Sequence, residues 1–188
     1  MRALISIDYT NDYTNDFVAD DGKLSAGKSA QAIATKIAEV TKTAFDQGDY
    51  IFFAIDCHDQ NDPWHPESKL FAAHNIKGTT GRHLYGPLAE VYSYMKQHPR
   101  VFWIDKRYYS AFSGTDLDIR LRERGITQLV LTGVLSDICV LHTAIDAYHL
   151  GYQLEIVKSA VASLTKESYE WSLAHFEQVL GAKLINDY

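Results

Sequence analysis

The feature that most restricts the fold of this chain is a regular alternation of short apolar runs with longer amphipathic ones. Residues 3–8 (ALISID), 50–56 (YIFFAID), 100–105 (RVFWID), 128–132 (QLVLT), 153–157 and 182–185 are short and nearly continuously apolar. They read as strands buried on both faces. Between them, 28–47 places Ile33, Ile37, Val40 and Ala44 near helical spacing and stops at Gly48, a good terminator. Pro87 suits the first turn of a helix running to about residue 97. Thr115-Asp116-Leu117-Asp118 reads as a variant capping box opening a helix that ends before Gly125. Further helices are expected over 137–150 and 166–180. Such alternation implies right-handed crossovers and a mostly parallel sheet covered on both faces. The expected fold is α/β, a three-layer α/β/α arrangement with a six-stranded sheet in Rossmann-like order.

Composition narrows the function classes. With 188 residues and no linker-like stretch, the chain is expected to form one domain, 1–188. Its formal charge of −6 argues against nucleic acid as a partner, since a phosphate-backbone binder shows a basic face. No apolar run approaches the roughly 18 residues of a membrane span, and the first strand meets Asp8 too soon for a signal peptide. Two cysteines, Cys57 and Cys139, with no export signal point to the reducing cytoplasm, where thiols stay free. A membrane partner is therefore not expected, and self-association is left open.

Two stretches depart from the alternation. Residues 57–86 are too long for an ordinary connection and rich in His, Pro and Asn, as functional or disordered loops are. In 9–16 the sequence Tyr-Thr-Asn-Asp occurs twice in tandem, far too short to be a solenoid unit.

Polar residues collect at the strand ends. The first strand ends at Asp8, the second at Asp56 and the third at Asp105-Lys106, while the fourth runs into Gly133-Val134-Leu135-Ser136-Asp137-Ile138-Cys139. In open α/β sheets ligands bind beyond the carboxyl ends of the strands, at a topological switch point. A cysteine at a helix N-terminus is expected to have a lowered thiol pKa, and the N–H groups there can hold an oxyanion. A lysine would favour the thiolate further, and a carboxylate could move protons to a leaving group. Taken singly, the same residues serve as a core cysteine, a helix cap and a solvated lysine. Their convergence on one rim favours chemistry.

A second constellation is Asp56-Cys57-His58 with Glu67 and His74. Residues two apart at a strand end point the same way, so Asp56 and His58 share a side that Cys57 does not. Two imidazoles and two carboxylates suit one divalent cation, Zn, Mn or Fe. A polar surface loop with incidental histidines, His65 and His83 among them, is the other reading.

Together these motifs resemble the isochorismatase-like cysteine hydrolases. Asp8, Lys106 and the run from Gly133 to Val140 carry the likeness, which extends through Phe71 and Asp105-Lys106-Arg107-Tyr108-Tyr109-Ser110-Ala111-Phe112. Asp56-Cys57-His58, His65-Pro66-Glu67-Ser68 and His74 are similar to the metal site of the nicotinamidases within that superfamily. The resemblance implies an amidase that hydrolyses nicotinamide, a small-molecule substrate, to nicotinate and ammonia in NAD salvage. It implies Cys139 as nucleophile, Asp8 as proton shuttle and Lys106 as their electrostatic partner. Backbone N–H groups of Leu135 and Cys139 would form the oxyanion hole, with a cis peptide between Val134 and Leu135. Asp56, His58, Glu67 and His74 would hold the metal, and Phe17, Phe71 and Tyr109 would wall the ring. The family's Asp-to-Phe pattern matches twice, from Asp8 or from Asp12. We place the carboxylate at Asp8, where the first strand ends without slack; the duplication leaves Tyr13 and Phe17 as alternatives for the ring wall. Amidases of carbamoyl or ureido substrates and a catalytically silent metal-binding homologue are the competing readings.

Overall fold

A computed structural model describes residues 1–14 and 26–188. The strands are β1 (Arg2–Ile7), β2 (Tyr50–Asp56), β3 (Val101–Lys106), β4 (Gln128–Val134), β5 (Gln153–Ala162) and β6 (Lys183–Ile185). The helices that cover them are α1 (Gly27–Ala32), α2 (Ala34–Asp46), α3 (Pro87–Met95), α4 (Leu117–Glu123), α5 (Cys139–His149) and α6 (Lys166–Gln178). All strand pairs are parallel, in the order β3-β2-β1-β4-β5-β6. The expected six-stranded Rossmann-like order is the one observed.

Strand alternation sorts the core into two layers. Ala3, Ile5, Ile7, Phe52 and Ala54 pack on one face against Leu117, Leu121, Val140, Ala144 and Phe176 of α4, α5 and α6. Leu4, Ile51, Phe53 and Ile55 pack on the other against Ala30, Ile37, Val40, Ala44, Leu88 and Met95 of α1, α2 and α3. Burial on both sides explains why β1 and β2 are continuously apolar. Among the described residues, no helix is long and apolar enough to cross a membrane.

Three local expectations are corrected. The helix expected over 28–47 breaks at Ile33, whose N–H bonds the Ala30 carbonyl, a tighter i−3 contact that interrupts the α-helical ladder. No capping box forms at 115–118: the Asp116 side chain at the cap position bonds Arg120 and no helix N–H, and Thr115 Oγ1 instead accepts from Leu117 N at 3.2 Å and donates to Ala111 O at 2.6 Å. β5 continues past Val157 to Ala162, because a bulge re-registers it on β4 from Leu131↔Ile156 to Gly133↔Val161. The polar pair Lys158-Ser159 within that bulge hides the continuation from the apolar pattern.

The topology places a crevice between β1 and β4. The chain moves outward from β1 to β3, then returns to β1's other side as β4. At the top of this seam Gly133 takes φ +115°, and a Cβ there would stand 2.0 Å from Ile7 O. Only glycine lets β4 approach so closely where β1 hands over to Asp8. The long connection 57–86 is ordered by single 3₁₀ turns at Pro66–Lys69 and Thr80–Arg82, and by bridges pairing His58 with Ile76 and Thr10 with Leu84.

Candidate active site and metal centre

Three strands bring a charged triad to the crevice. Asp8 follows β1 in a left-handed conformation, φ +50°, which Asp tolerates better than most residues. Lys106 lies directly beside Asp56 in the β2–β3 register. Its buried Nζ is 2.5 Å from Asp56 Oδ1, 2.7 Å from Asp8 Oδ2 and 3.2 Å from Tyr108 O. The Asp56 N–H donates to Asp8 Oδ1 at 2.8 Å. Cys139 opens α5, almost fully buried, so its N–H has no acceptor inside the helix. Its Sγ lies within 4.8 Å of carboxylate oxygens of both Asp8 and Asp56.

Burial and charge set the protonation states. Burial, then the Asp56 charge, push the Asp8 carboxyl up to about 6 against the pull of Lys106. Burial would raise Asp56 too, but Lys106 and His58 outweigh it and hold that carboxyl below its ordinary range. Lys106 is kept charged, since Asp56 and Asp8 more than offset the desolvation of its ammonium. Cys139 departs from expectation: burial drives the thiol well above its ordinary value, and Asp8 and Asp56 add to this against Lys106. The helix-end effect expected to favour thiolate is overridden by desolvation. The resting cysteine is a thiol beside a carboxylate able to take its proton.

The turn before Cys139 is tightly held. A cis peptide joins Val134 to Leu135, the Ser136 N–H bonds Ala162 O at 2.8 Å, and the N–H groups of Ile138 and Val140 converge on Leu135 O at 3.1 Å. Thr143 Oγ1 donates to Cys139 O at 2.7 Å and accepts from Ala111 N at 3.0 Å, tying α5 to the segment after β3.

The second constellation also assembles. Ligand-type atoms of Asp56, His58, Glu67 and His74 all lie within 4.8 Å of one another, and all four residues are buried. His58 Nε2 stands 3.8 Å from Asp56 Oδ2 and 4.0 Å from Glu67 Oε2, while His74 Nε2 stands 3.5 Å from Glu67 Oε2. His74 Nδ1 bonds Ala72 O at 2.8 Å, which turns Nε2 inward. Among the described residues, buried His58 Nε2 and Glu67 Oε2 have no hydrogen-bond partner. Metal–ligand bonds of about 2.1 Å in a tetrahedron would separate the ligand atoms by about 3.4 Å, close to the shorter of these contacts. Charge agrees. Among the described residues, Asp8, Asp56 and Glu67 are buried with one ammonium, Lys106, and carboxylates left uncompensated in a dry site are costly without a cation. The residues fit a divalent metal ion.

Phe71 is half-buried, its ring 6.4 Å from that of His74. It lines a cavity of about 140 Å³ over the quartet with His58, Glu67 and His74. Tyr109, 5.1 Å from the His142 ring, lines a second cavity of about 250 Å³ that shares Glu67. Phe17 lies outside the described residues, as does the choice between it and the Tyr13 side chain. Cys57 is not part of the quartet; its thiol interacts with Asp105 and Arg82. Asp12 stays apart from Cys139; it is buried and accepts from Asn75 N at 2.7 Å.

His65, which the sequence placed in the His65-Pro66-Glu67-Ser68 motif without a role of its own, is built into the site. His65 is buried, its Nδ1 accepts from Glu67 N at 3.3 Å, and its Nε2 bonds Arg107 O. Its ring stacks on Tyr108 and meets His58 edge-on at 4.7 Å. The available signal was Pro66, which marks His65 as a cap preceding a helical turn.

Comparison with known proteins follows the same outline. The isochorismatase domain family matches residues 2–186. The pyrazinamidase/nicotinamidase from Streptococcus mutans UA159 is 64% identical, with a TM-score of 0.94 over 98% of this chain and 100% of that one. The uncharacterized isochorismatase family protein PncA of Bacillus subtilis is 49% identical over 97% of this chain and 98% of its own. The pyrazinamidase of Pyrococcus horikoshii, solved in complex with zinc, is 25% identical with a TM-score of 0.82, covering 100% and 99% of the two chains. With the family match spanning residues 2–186 and the Bacillus subtilis relative 49% identical over nearly the whole of both chains, the chain belongs to the isochorismatase family.

Proposed function

We propose that the protein is a metal-dependent nicotinamidase, hydrolysing nicotinamide to nicotinate and ammonia through a thioester on Cys139. The observation that carries this reading is the junction at Asp56. That carboxylate belongs at once to the metal quartet and to the Lys106 ion pair, and lies within 4.8 Å of both Asp8 and Cys139 ligand atoms. A flat pyridine carboxamide is short enough to meet both halves together. The likeness to the Streptococcus mutans pyrazinamidase/nicotinamidase supports the substrate class.

The chemistry follows from the chain's own groups. As Cys139 sulfur attacks the carboxamide carbon, the thiol proton passes to Asp8, whose raised pKa suits a base working near neutrality. Lys106 keeps the anionic character of this pair tolerable in a buried site. N–H groups of Leu135 and Cys139 receive the oxyanion. Asp8 then returns its proton to the departing nitrogen, releasing ammonia and leaving the thioester. Water, deprotonated by Asp8, cleaves that bond to give the carboxylic acid and restore the thiol. Asp56, His58, Glu67 and His74 would hold a divalent ion, zinc by the nitrogen and oxygen donors and by likeness to the Pyrococcus horikoshii protein, with Mn or Fe as alternatives. When bound it supplies Lewis acidity for a ring nitrogen. Phe71 and Tyr109 flank the ring, with Phe17 or Tyr13 as the third wall.

Residues 1–188 act as one domain, since β1 from the start of the chain lies between β2 and β4 in a single sheet. The free thiols of Cys57 and Cys139 suit a reducing cytoplasm. The test is ammonia release from nicotinamide before and after chelator treatment, with Cys139→Ala alongside. Activity lost in both cases is expected. No release from folded, metal-loaded protein would overturn the reading.

A further inference from the structure

The first copy of the tandem Tyr-Thr-Asn-Asp repeat takes no part in the mechanism above, yet its Tyr9, Thr10 and Asp12 are buried. Tyr9 is fully buried and donates to Ala30 O at 2.6 Å, anchoring the segment to α1. Its carbonyl accepts from Tyr85 N at 3.1 Å. Thr10 Oγ1 donates to Asn75 Oδ1 at 3.0 Å, Asn11 Nδ2 donates to Thr80 O at 3.0 Å, and Asp12 Oδ2 accepts from Asn75 N at 2.7 Å. Every residue of this copy therefore grips the long connection or the helix under it.

Asn75 is where the grip meets the metal centre. It follows His74 directly, and its carbonyl accepts from His58 N at 3.1 Å. One residue thus joins the backbones of both histidine ligands. It holds a left-handed conformation, φ +44°, so its N–H and C=O diverge toward two different partners. The Asp12 carboxylate fixes the first and the bridge to His58 fixes the second. Gly81 closes the arrangement, because a Cβ there would lie 2.1 Å from Asp12 Oδ2. Space at Gly81 is reserved for the carboxylate.

We infer that Asp12 is a positioning residue of the metal centre: through Asn75 it sets the spacing of His74 and His58, and the first copy of the repeat, not the second, carries this task. The inference rests on the metal-binding reading above.

The test is Zn²⁺ affinity of the full chain, stripped of metal and titrated against a chromophoric chelator. Asp12→Ala is expected to bind about 10–100-fold more weakly, the usual cost of losing an outer partner of a ligand set. Asp12→Asn, which keeps an acceptor oxygen, should recover affinity to within about threefold, and Asp16→Ala should remain within about twofold. Amides of 72–77 should exchange faster in metal-free Asp12→Ala while those of β1 and β4 are unchanged, a pattern general destabilisation would not give. If Asp12→Ala does not fold, Gly81→Ala crowds the same carboxylate and should weaken Zn²⁺ binding in the same direction. Unaltered affinity in Asp12→Ala, or an equal loss in Asp16→Ala, overturns the inference while leaving the nicotinamidase reading intact. A wild-type chain that takes up no Zn²⁺ removes the metal-binding reading and this inference with it.

Discussion

The two halves of the site are held by different means. Asp8, Asp56, Lys106 and Cys139 stand at the ends of β1, β2 and β3 and at the start of α5, where sheet register and helix position fix them. Their charges largely answer one another through Lys106. His58, Glu67 and His74 come instead from the connection 57–86, where ladder bonds are few and position depends on 3₁₀ turns, bridges and side-chain clamps. The strand-end half carries its own cation, Lys106, whereas the loop half leaves His58 Nε2 and Glu67 Oε2 facing each other at 4.0 Å. Under the proposed reading the first half carries the covalent chemistry and the second supplies the metal that orients the substrate.

That contrast can be broken most severely at Cys139. Cys139→Ala should lower turnover by at least about 10⁴-fold, the scale of losing a nucleophile that acts as part of a unit. Metal affinity should stay as in the wild type, because Cys139 supplies no atom to the quartet. Steady-state ammonia release and Zn²⁺ titration of the same preparation decide it. A parallel loss of metal would show that the halves are not separable.

Lys106→Met attacks the junction of the halves. It strips the ammonium that pairs with both buried Asp8 and Asp56, and breaking a buried ion pair by removing one partner costs about 3–5 kcal/mol. Urea unfolding of the metal-free protein should report a loss of that size, with turnover abolished. A stability change below about 1 kcal/mol would mean that water reaches the pair and that the electrostatic account is wrong.

The two halves also differ in how legible they were in the sequence. The strand-end residues were legible because each closes a short apolar run, and a sheet turns such ends into a common rim. Gly133 was legible only as part of a motif; that a Cβ there would meet Ile7 O is a fact of two strands together. The thiol was misjudged because a helix N-terminus can be read from sequence while burial of Cys139 cannot. In the loop, residue types and spacing suggested a metal, yet His65 and Asp12 gave no periodic signal. Their importance lies in hydrogen bonds to backbone far along the chain, 42 residues away for His65 to Arg107 and 63 for Asp12 to Asn75. β5 was cut short for a similar reason, since a bulge interrupts the apolar pattern without ending the strand.

Removing the metal should separate the halves without unfolding either. Chelation is expected to abolish amidase activity and to raise hydrogen exchange across 58–77, while β1, β2 and β4 keep their protection. The asymmetry follows from the sheet core on both faces, which owes nothing to the quartet. Loss of protection throughout the sheet would show that the ion is structural for the whole fold.

The smallest expected effect is at His65, which sharpens the comparison by asking how stiff the loop half is. His65 accepts from Glu67 N and bonds Arg107 O, so it ties the carboxylate ligand to the segment that leaves β3 beside Lys106. These bonds reach the backbone of Glu67 and of Arg107, next to Lys106, and neither goes to Cys139. His65→Ala should weaken Zn²⁺ binding by about tenfold, at the low end for an outer partner, because the Pro66–Lys69 turn remains to hold Glu67. Turnover at saturating metal should stay within about threefold of wild type, since the strand-end residues do not move with it. The discriminating measurement is turnover against free Zn²⁺ concentration. A curve displaced along the metal axis with its plateau kept is the result expected of a loop-half residue. A lowered plateau at full occupancy would mean that Glu67 and the Lys106 segment move as one, and that the division between fixed and clamped halves is less sharp than their hydrogen bonds suggest.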